Sequence, residues 1–232
     1  MQKTHNSLIK GIKDYFRKCG IKKAVIGVSG GIDSALSARL VSDAIGYKNI
    51  TALLLPEKAG TTNVIDSINL CKKLCVKYKL IEINNTIDHF KKSVSWAQNK
   101  ASLVNLKSRI RAVILYNYAN SHDALVIGTS NKTELELGYY TKYGDGACDI
   151  EVIGSLYKTQ VIALAKHLDL PKEIINKTPS ADLYPGQSDE KEIGETYANI
   201  DKMLTAKIKM SKKIKALIDK NKHKGDIPII KK

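Results

Sequence analysis

Hydrophobic positions change period several times along the chain, and each change marks an element. Over residues 2–19, Leu8, Ile12, Tyr15, Phe16 and Cys19 recur at helical spacing, which predicts an amphipathic helix closed by Gly20. From 24 to 28 the apolar run is continuous and β-branched, as in a buried strand. A break of small residues follows, Ser29-Gly30-Gly31. Asp33 and Ser34 then open a helix with Leu36, Leu40, Val41 and Ile45 on one face. Residues 50–55 predict a second strand ended by Pro56, and 64–76 a helix with Ile65, Ile68, Leu74 and Cys75 inward. A third strand is expected at 80–83, and helices at 88–96 and 103–120 with a polar break at 98–102.

The second half alternates in the same way. Residues 124–128 predict a fourth buried strand, and 131–137 one or two helical turns carrying Glu134. A twelve-residue loop from Gly138 to Asp149 is long enough to be functional, and a fifth strand is expected at 150–153. Helices should follow at 158–168 and from Pro171 at N1, then a polar loop at 178–187. Ser188 reads as a cap with Asp189 and Glu192 in the first turn, residues 193–218 as helical with breaks, and 223–232 as a basic surface tail. Strands alternating with helices imply parallel βαβ units. The fold class is α/β: a parallel five-stranded twisted sheet with helices on both faces, forming a single domain over 1–232.

Composition narrows the function. The 232 residues are 43% apolar, enough for one core, and no apolar run approaches the ~20 residues of a membrane span. Residues 1–10 hold no apolar signal segment. Cys19, Cys71, Cys75 and Cys148 form no C-x-x-C pair; Cys71 and Cys75 share a helix face and read as buried free thiols, so a cytoplasmic protein is expected. The net charge of +15 admits a nucleic-acid partner, but it is mostly lysine spread along the chain, and aromatic residues are only 6%. A lysine-rich soluble surface, or a field for phosphorylated small substrates, accounts for the charge equally well. No nucleic-acid partner and no membrane partner are expected.

Candidate chemistry sits first in the glycine break. Strand, glycine loop and helix N-terminus form an anion site, where amide N–H groups converge and the helix dipole favours negative charge. No Gly-Lys-[Ser/Thr] closes the loop, and G-x-G-x-x-G is absent. The 124–128 strand leads to a second such junction at Thr129-Ser130-Asn131, and ligands in such sheets lie beyond the carboxyl ends of strands where the strand order reverses. Several assignments have plain structural alternatives: Glu134 as a helix-surface acid, Lys158 as a solvated lysine, Asp145 as a Gly-Asp-Gly turn former, and His223-Lys224 as a basic tail. A lysine at the first position of a helix opposes the dipole, so Lys158 needs a partner.

The loop Ser29-Gly30-Gly31-Ile32-Asp33-Ser34 resembles the S-G-G-x-D-S loop of the N-type ATP pyrophosphatases. Six further blocks stand in order: Asn105-x-Lys107-x-Arg109-x-Arg111, Gly128-Thr129 with Glu134, Thr141-Lys142-Tyr143-Gly144-Asp145-Gly146, Ser180-Ala181-Asp182-Leu183, Gln187-Ser188-Asp189-Glu190 and His223-Lys224. Together they resemble the ammonia-dependent NAD synthetases, whose fold is adenine nucleotide alpha hydrolase-like (Rossmann-like). The resemblance implies conversion of deamido-NAD to NAD with ATP and ammonia through an adenylated nicotinate, releasing AMP and pyrophosphate as the last step of NAD synthesis.

By the same resemblance ATP is held by Gly27, Val28, Ser29, Gly30, Gly31, Ile32, Asp33 and Ser34, with Thr129, Lys158 and Ser180; Ser180 replaces an expected threonine and keeps the hydroxyl. Mg²⁺ is held by Asp33 and Glu134, and deamido-NAD by Arg109, Lys142, Asp149, His223 and Lys224. Asp33 and Lys158 are catalytic, and Asp145 (or Asp149) is the candidate acceptor of ammonia's proton. A homodimer without an N-terminal glutaminase domain is implied. The rival readings are another adenylating ATP pyrophosphatase, such as the synthetase part of GMP synthetase or a tRNA-modifying enzyme, and a non-catalytic nucleotide- or RNA-binding protein.

Overall fold

The structure, a computed structural model, describes residues 1–178 and 188–225. Helix α1 (Gln2–Cys19) buries Ile12 and Phe16 and ends where Gly20 turns left-handed at φ +69°. Then come β1 (Lys23–Gly27), α2 (Ile32–Ile45), β2 (Ile50–Leu54), α3 (Thr62–Lys73) and β3 (Lys77–Leu80). The chain next runs through α4 (Asn84–Ser93) and α5 (Lys100–His122) to β4 (Ala124–Gly128), α6 (Lys132–Leu137) and β5 (Ile150–Glu151). Helices α7 (Lys158–His167), α8 (Lys172–Ile175), α9 (Asp189–Ile193), α10 (Tyr197–Leu204) and α11 (Lys212–Asn221) follow.

The five strands form one parallel sheet in the order β3-β2-β1-β4-β5. The chain first winds from β1 outward to β3, then returns over the other face through α4 and α5 to pair β4 with β1. The order therefore reverses between β1 and β4, so the loops leaving these strands diverge and leave a crevice. One face of the sheet packs Ile26, Ala52, Leu54 and Ile127 against α1, α2, α3 and α7. The opposite face packs Val25, Leu53 and Val126 against α4 and α5 through Ile87, Ile110 and Ala119. Each Val, Leu or Ile side chain among these contributes about 1.5–3 kcal/mol on leaving water. A third cluster, with Leu137, Tyr197, Ile200 and Ile214, joins α6 to the C-terminal helices.

Several sequence expectations are corrected. The third strand lies at 77–80, not 80–83: it is an exposed edge strand whose Lys-Tyr-Lys-Leu sequence has no buried face to reveal it. In α3 the inward positions are Val64, Ser67, Leu70 and Cys71, whereas Ile65 is exposed. Cys75 is also exposed; it lies beyond the helix at φ +55°, so it no longer shares a face with buried Cys71. Helix α4 begins four residues before the expected 88, and the break at 98–102 is a helix start, with the Asn99 side chain accepting from the Ser102 N–H. Pro171 caps α8 rather than occupying its first turn, and the Ser188 hydroxyl makes no cap bond to α9. The expected loop at 178–187, apart from Thr178, and the tail from 226 lie outside the described residues.

Candidate active site

The 29–34 loop connects β1 to α2 at the sheet's carboxyl edge. Gly30 adopts φ +81° and packs so closely on α3 that a Cβ there would stand 2.5 Å from the Asn63 carbonyl oxygen. Only glycine satisfies both conditions. Inside the loop the Ser34 hydroxyl donates to the Gly31 carbonyl (3.0 Å) and accepts from the Ser29 N–H (3.2 Å). The Gly31 N–H reaches the Ser29 hydroxyl at 3.3 Å. Asp33 stands in the first turn of α2, where the dipole favours its charge.

The loop after β4 supplies the facing wall. Asn131 caps α6 in a two-way capping box with Glu134, which fixes the Glu134 backbone and aims its side chain back over the helix start. The Asn131 amide also donates to Asp33 at 2.9 Å, joining the two loops. Lys158, the first residue of α7, projects between them. Its Nζ lies 2.5 Å from Asp33 and 3.4 Å from Glu134, it is only 2% exposed, and it sits 5.0 Å from the Tyr197 ring centre. The reading of Lys158 as a solvated lysine is thereby removed.

The electrostatics follow from this crowding. Burial pushes the Glu134 carboxyl up, the Asp33 carboxylate adds to the push, and Lys158 opposes it. Burial works against the Lys158 charge, but Asp33 and Glu134 outweigh it and raise its pKa. Two carboxyl groups share a single ammonium, and a bound cation would hold both in the carboxylate form. Hard oxygen donors of this kind suit Mg²⁺. Among the described residues no group of three or more His, Cys, Asp or Glu side chains is arranged to hold a metal, so substrate oxygens would have to complete the shell.

A buried carboxylate that the sequence did not single out braces this centre. Asp201 on α10 accepts from the Thr133 hydroxyl (2.6 Å) and from the N–H and hydroxyl of Thr159 (2.9 and 2.7 Å), while the Lys158 N–H donates to Thr133. It thus ties α6 and α7 together directly behind Glu134 and Lys158. Asp189 is also buried and accepts from Tyr197 (3.2 Å) and Tyr139 (3.4 Å). Two further residues escaped notice. Lys177 reaches the Gly30 carbonyl, Asn63 and Asp66. Glu151 accepts from the Ser130 N–H, and burial lifts its pKa to about 7. A Cβ at Gly128 would collide with the Glu151 carboxyl and the Cys148 thiol.

Most of the second predicted group gathers around the 138–149 loop. The Arg109 Nε donates to the Lys142 carbonyl (3.3 Å), the Lys142 Nζ to the His223 carbonyl (2.7 Å), and the Lys224 Nζ to the Gly138 and Tyr140 carbonyls (2.8 and 2.9 Å). His223 and Lys224 are therefore folded against the 138–149 loop, more than eighty residues away in sequence. The two aspartates of this loop are tied to the scaffold. Asp145 Oδ1 accepts from Ser108 and the Thr141 N–H, and Asp149 from the Val126 N–H and the Tyr116 hydroxyl. Thr129 stands at the end of β4, beside Ser130 and Asn131, while Ser180 lies outside the described residues.

Comparison with known proteins adds an independent line. The family model described as NAD synthase matches residues 4–228. An NH3-dependent NAD+ synthetase from Fusobacterium nucleatum is 40% identical over 219 residues, covering 94% of this chain and 84% of that protein. Among solved structures, NMN synthetase from Francisella tularensis superposes with a TM-score of 0.93 at 34% identity, covering 99% of this chain and 98% of that one. An NH3-dependent NAD synthetase from Campylobacter jejuni, in complex with nitrate, gives 0.82 at 37% identity over 100% and 98%.

Proposed function

The chain belongs to the NAD synthase family and performs the ATP-dependent amidation of deamido-NAD to NAD with ammonia, and we propose that it does so through an adenylated nicotinate. The observation that carries this mechanism is the meeting of Asp33, Glu134 and buried Lys158 beside the 29–34 loop. Residues 27–34 would hold the ATP phosphates with amide N–H groups that need no reorganisation as charge develops. Thr129, Lys158 and Ser180 complete the ATP contacts. Asp33 and Glu134 would hold Mg²⁺, which neutralises phosphate oxygens when bound.

The nicotinate carboxylate attacks the α-phosphate and pyrophosphate leaves, its charge balanced by Lys158 and the loop amides. Ammonia then attacks the carbonyl of the acyl-adenylate and AMP departs. Asp145, whose hydrogen bonds fall on Oδ1, accepts the surplus proton through its other oxygen. Arg109, Lys142, Asp149, His223 and Lys224 hold the dinucleotide. In this reading residues 1–232 act as one domain in the cytoplasm, with ammonia as the nitrogen donor. No helix among the described residues is long and apolar enough to cross a membrane. The reading includes a homodimer, which would cover exposed apolar side chains such as Trp96 and Val113, 65% and 68% exposed.

The near-complete superposition on an NMN synthetase favours a second acceptor, the nicotinate mononucleotide, amidated by the same steps. One assay tests both: purified protein with ATP, Mg²⁺ and ammonium, supplied with either acid. Equal amounts of amide, AMP and pyrophosphate are expected with deamido-NAD, and the ratio of kcat/KM values ranks the two acceptors. AMP formation only with some other acceptor would overturn both.

A further inference from the structure

Lys177 lies far from the 29–34 loop in sequence, yet its ammonium ends on that loop. The Nζ is 3.0 Å from the Gly30 carbonyl, 2.6 Å from Asn63 Oδ1 and 2.6 Å from Asp66 Oδ2. Asn63 and Asp66 are three residues apart on α3, hence on one face. An ammonium has three protons, and these three acceptors can take all of them.

We infer that Lys177 is a positioning residue of the phosphate loop, holding the Gly30–Gly31 peptide so that the Gly31 N–H faces the ATP phosphates; this rests on the reading of residues 27–34 as their cradle. A trans peptide is planar, with its C=O and N–H pointing opposite ways. Drawing the Gly30 carbonyl toward α3 therefore turns the Gly31 N–H to the other side, where it meets the Ser29 hydroxyl at 3.3 Å. A peptide between two glycines resists rotation least, because both flanking residues tolerate either sign of φ. Rotated, it would present a carbonyl oxygen to the phosphates in place of an N–H. The Lys177 bond opposes that rotation, and Asp66 and Asn63 fix the ammonium that makes it. A lysine paired with Asp66 alone would be a surface strap of little energetic weight. The Gly30 contact gives it a role in the site.

The test compares wild type, Lys177→Met and Asp66→Asn by calorimetric titration with a non-hydrolysable ATP analogue and Mg²⁺, with separate KM values for ATP and acceptor and a thermal melt. Loss of a charge-assisted hydrogen bond predicts ATP binding about tenfold weaker in Lys177→Met and about threefold weaker in Asp66→Asn, with the acceptor KM within about twofold. Unchanged ATP binding in Lys177→Met, whatever its melting temperature, would overturn the proposal and leave a structural strap. Tighter ATP binding in Asp66→Asn would also overturn it, because the released ammonium would then be acting on the phosphates directly. A wild-type protein that binds no ATP would overturn the cradle reading itself, and the inference with it.

Discussion

Lys158 and Lys142 are both candidate site cations, but one is buried and the other partly exposed. Lys158 is buried and bonded to two carboxylates on two different loops, with Asp201 bracing the helices behind it. Lys142 lies on the 138–149 loop and donates to the His223 carbonyl, beside Arg109 and Lys224, which also donate to carbonyls. A carboxylate neutralises an ammonium and fixes it; a carbonyl accepts a hydrogen bond and cancels no charge. The first arrangement suits charge that must be ready before the reaction starts. The second, partly exposed, suits recognition, because a ligand phosphate or carboxylate can reach it from solvent.

Removing Lys158 is the most severe way to break this contrast. Lys158→Met leaves Asp33 and Glu134 facing each other without a cation, and breaking a buried pair costs about 3–5 kcal/mol. Uptake of a proton by Glu134, whose pKa is already pushed up, would recover part of that cost. Turnover is expected to fall by about 10³ or more, since a preorganised charge at the reacting phosphates is lost. Denaturant melts and steady-state rates of the variant measure both. Turnover near wild type would detach Lys158 from the chemistry and leave it a structural cation.

Lys142→Met tests the other side of the comparison. Its expected effect is a rise of about tenfold in the acceptor KM, from one lost charge-assisted contact. The unfolding free energy should change by no more than about 0.5 kcal/mol, as for other surface positions. The opposite pattern, a large loss of stability with an unaltered acceptor KM, would place Lys142 in the same structural class as Lys158.

What the sequence made legible follows the same divide. The strands β1 and β4 were plain because both faces of their apolar runs, 24–26 and 124–127, are buried, and the 29–34 loop because its residue types are needed locally. Strand β3 was misplaced because an edge strand of lysine, tyrosine and leucine carries no burial signal. The phase of α3 was misjudged because Ile65 is apolar yet exposed, while Ser67 is buried and bonds the Val28 and Asn63 carbonyls. Asp201 and Lys177 stood in ordinary amphipathic or polar surroundings. Their roles exist only through partners 42 to 147 residues away, which no local pattern encodes. Asn131 was nearer to view, since Asn followed three residues later by Glu is a capping-box signature.

Glu151 offers the smallest and most selective test, because it is an enclosed acid whose partners are a thiol and the Ser130 N–H rather than an ammonium. Burial raises its pKa from 4.5 in the open chain to about 7 in the fold. Below pH 4.5 both states are protonated and the group adds no pH dependence. Between 4.5 and 7 the unfolded chain releases its proton while the folded chain keeps it, so stability falls as pH rises; above 7 the loss is complete. Glu151→Gln keeps a carbonyl oxygen for the Ser130 N–H and removes the titration. Discounted for partial exposure, the variant should gain about 1 kcal/mol over wild type at pH 8 and nothing at pH 4. Parallel stability curves from pH 4 to 8 would mean that Glu151 reaches solvent or a cation after all. The contrast would then lie between Lys158 and Lys142 alone, rather than between enclosed acids with and without an ammonium.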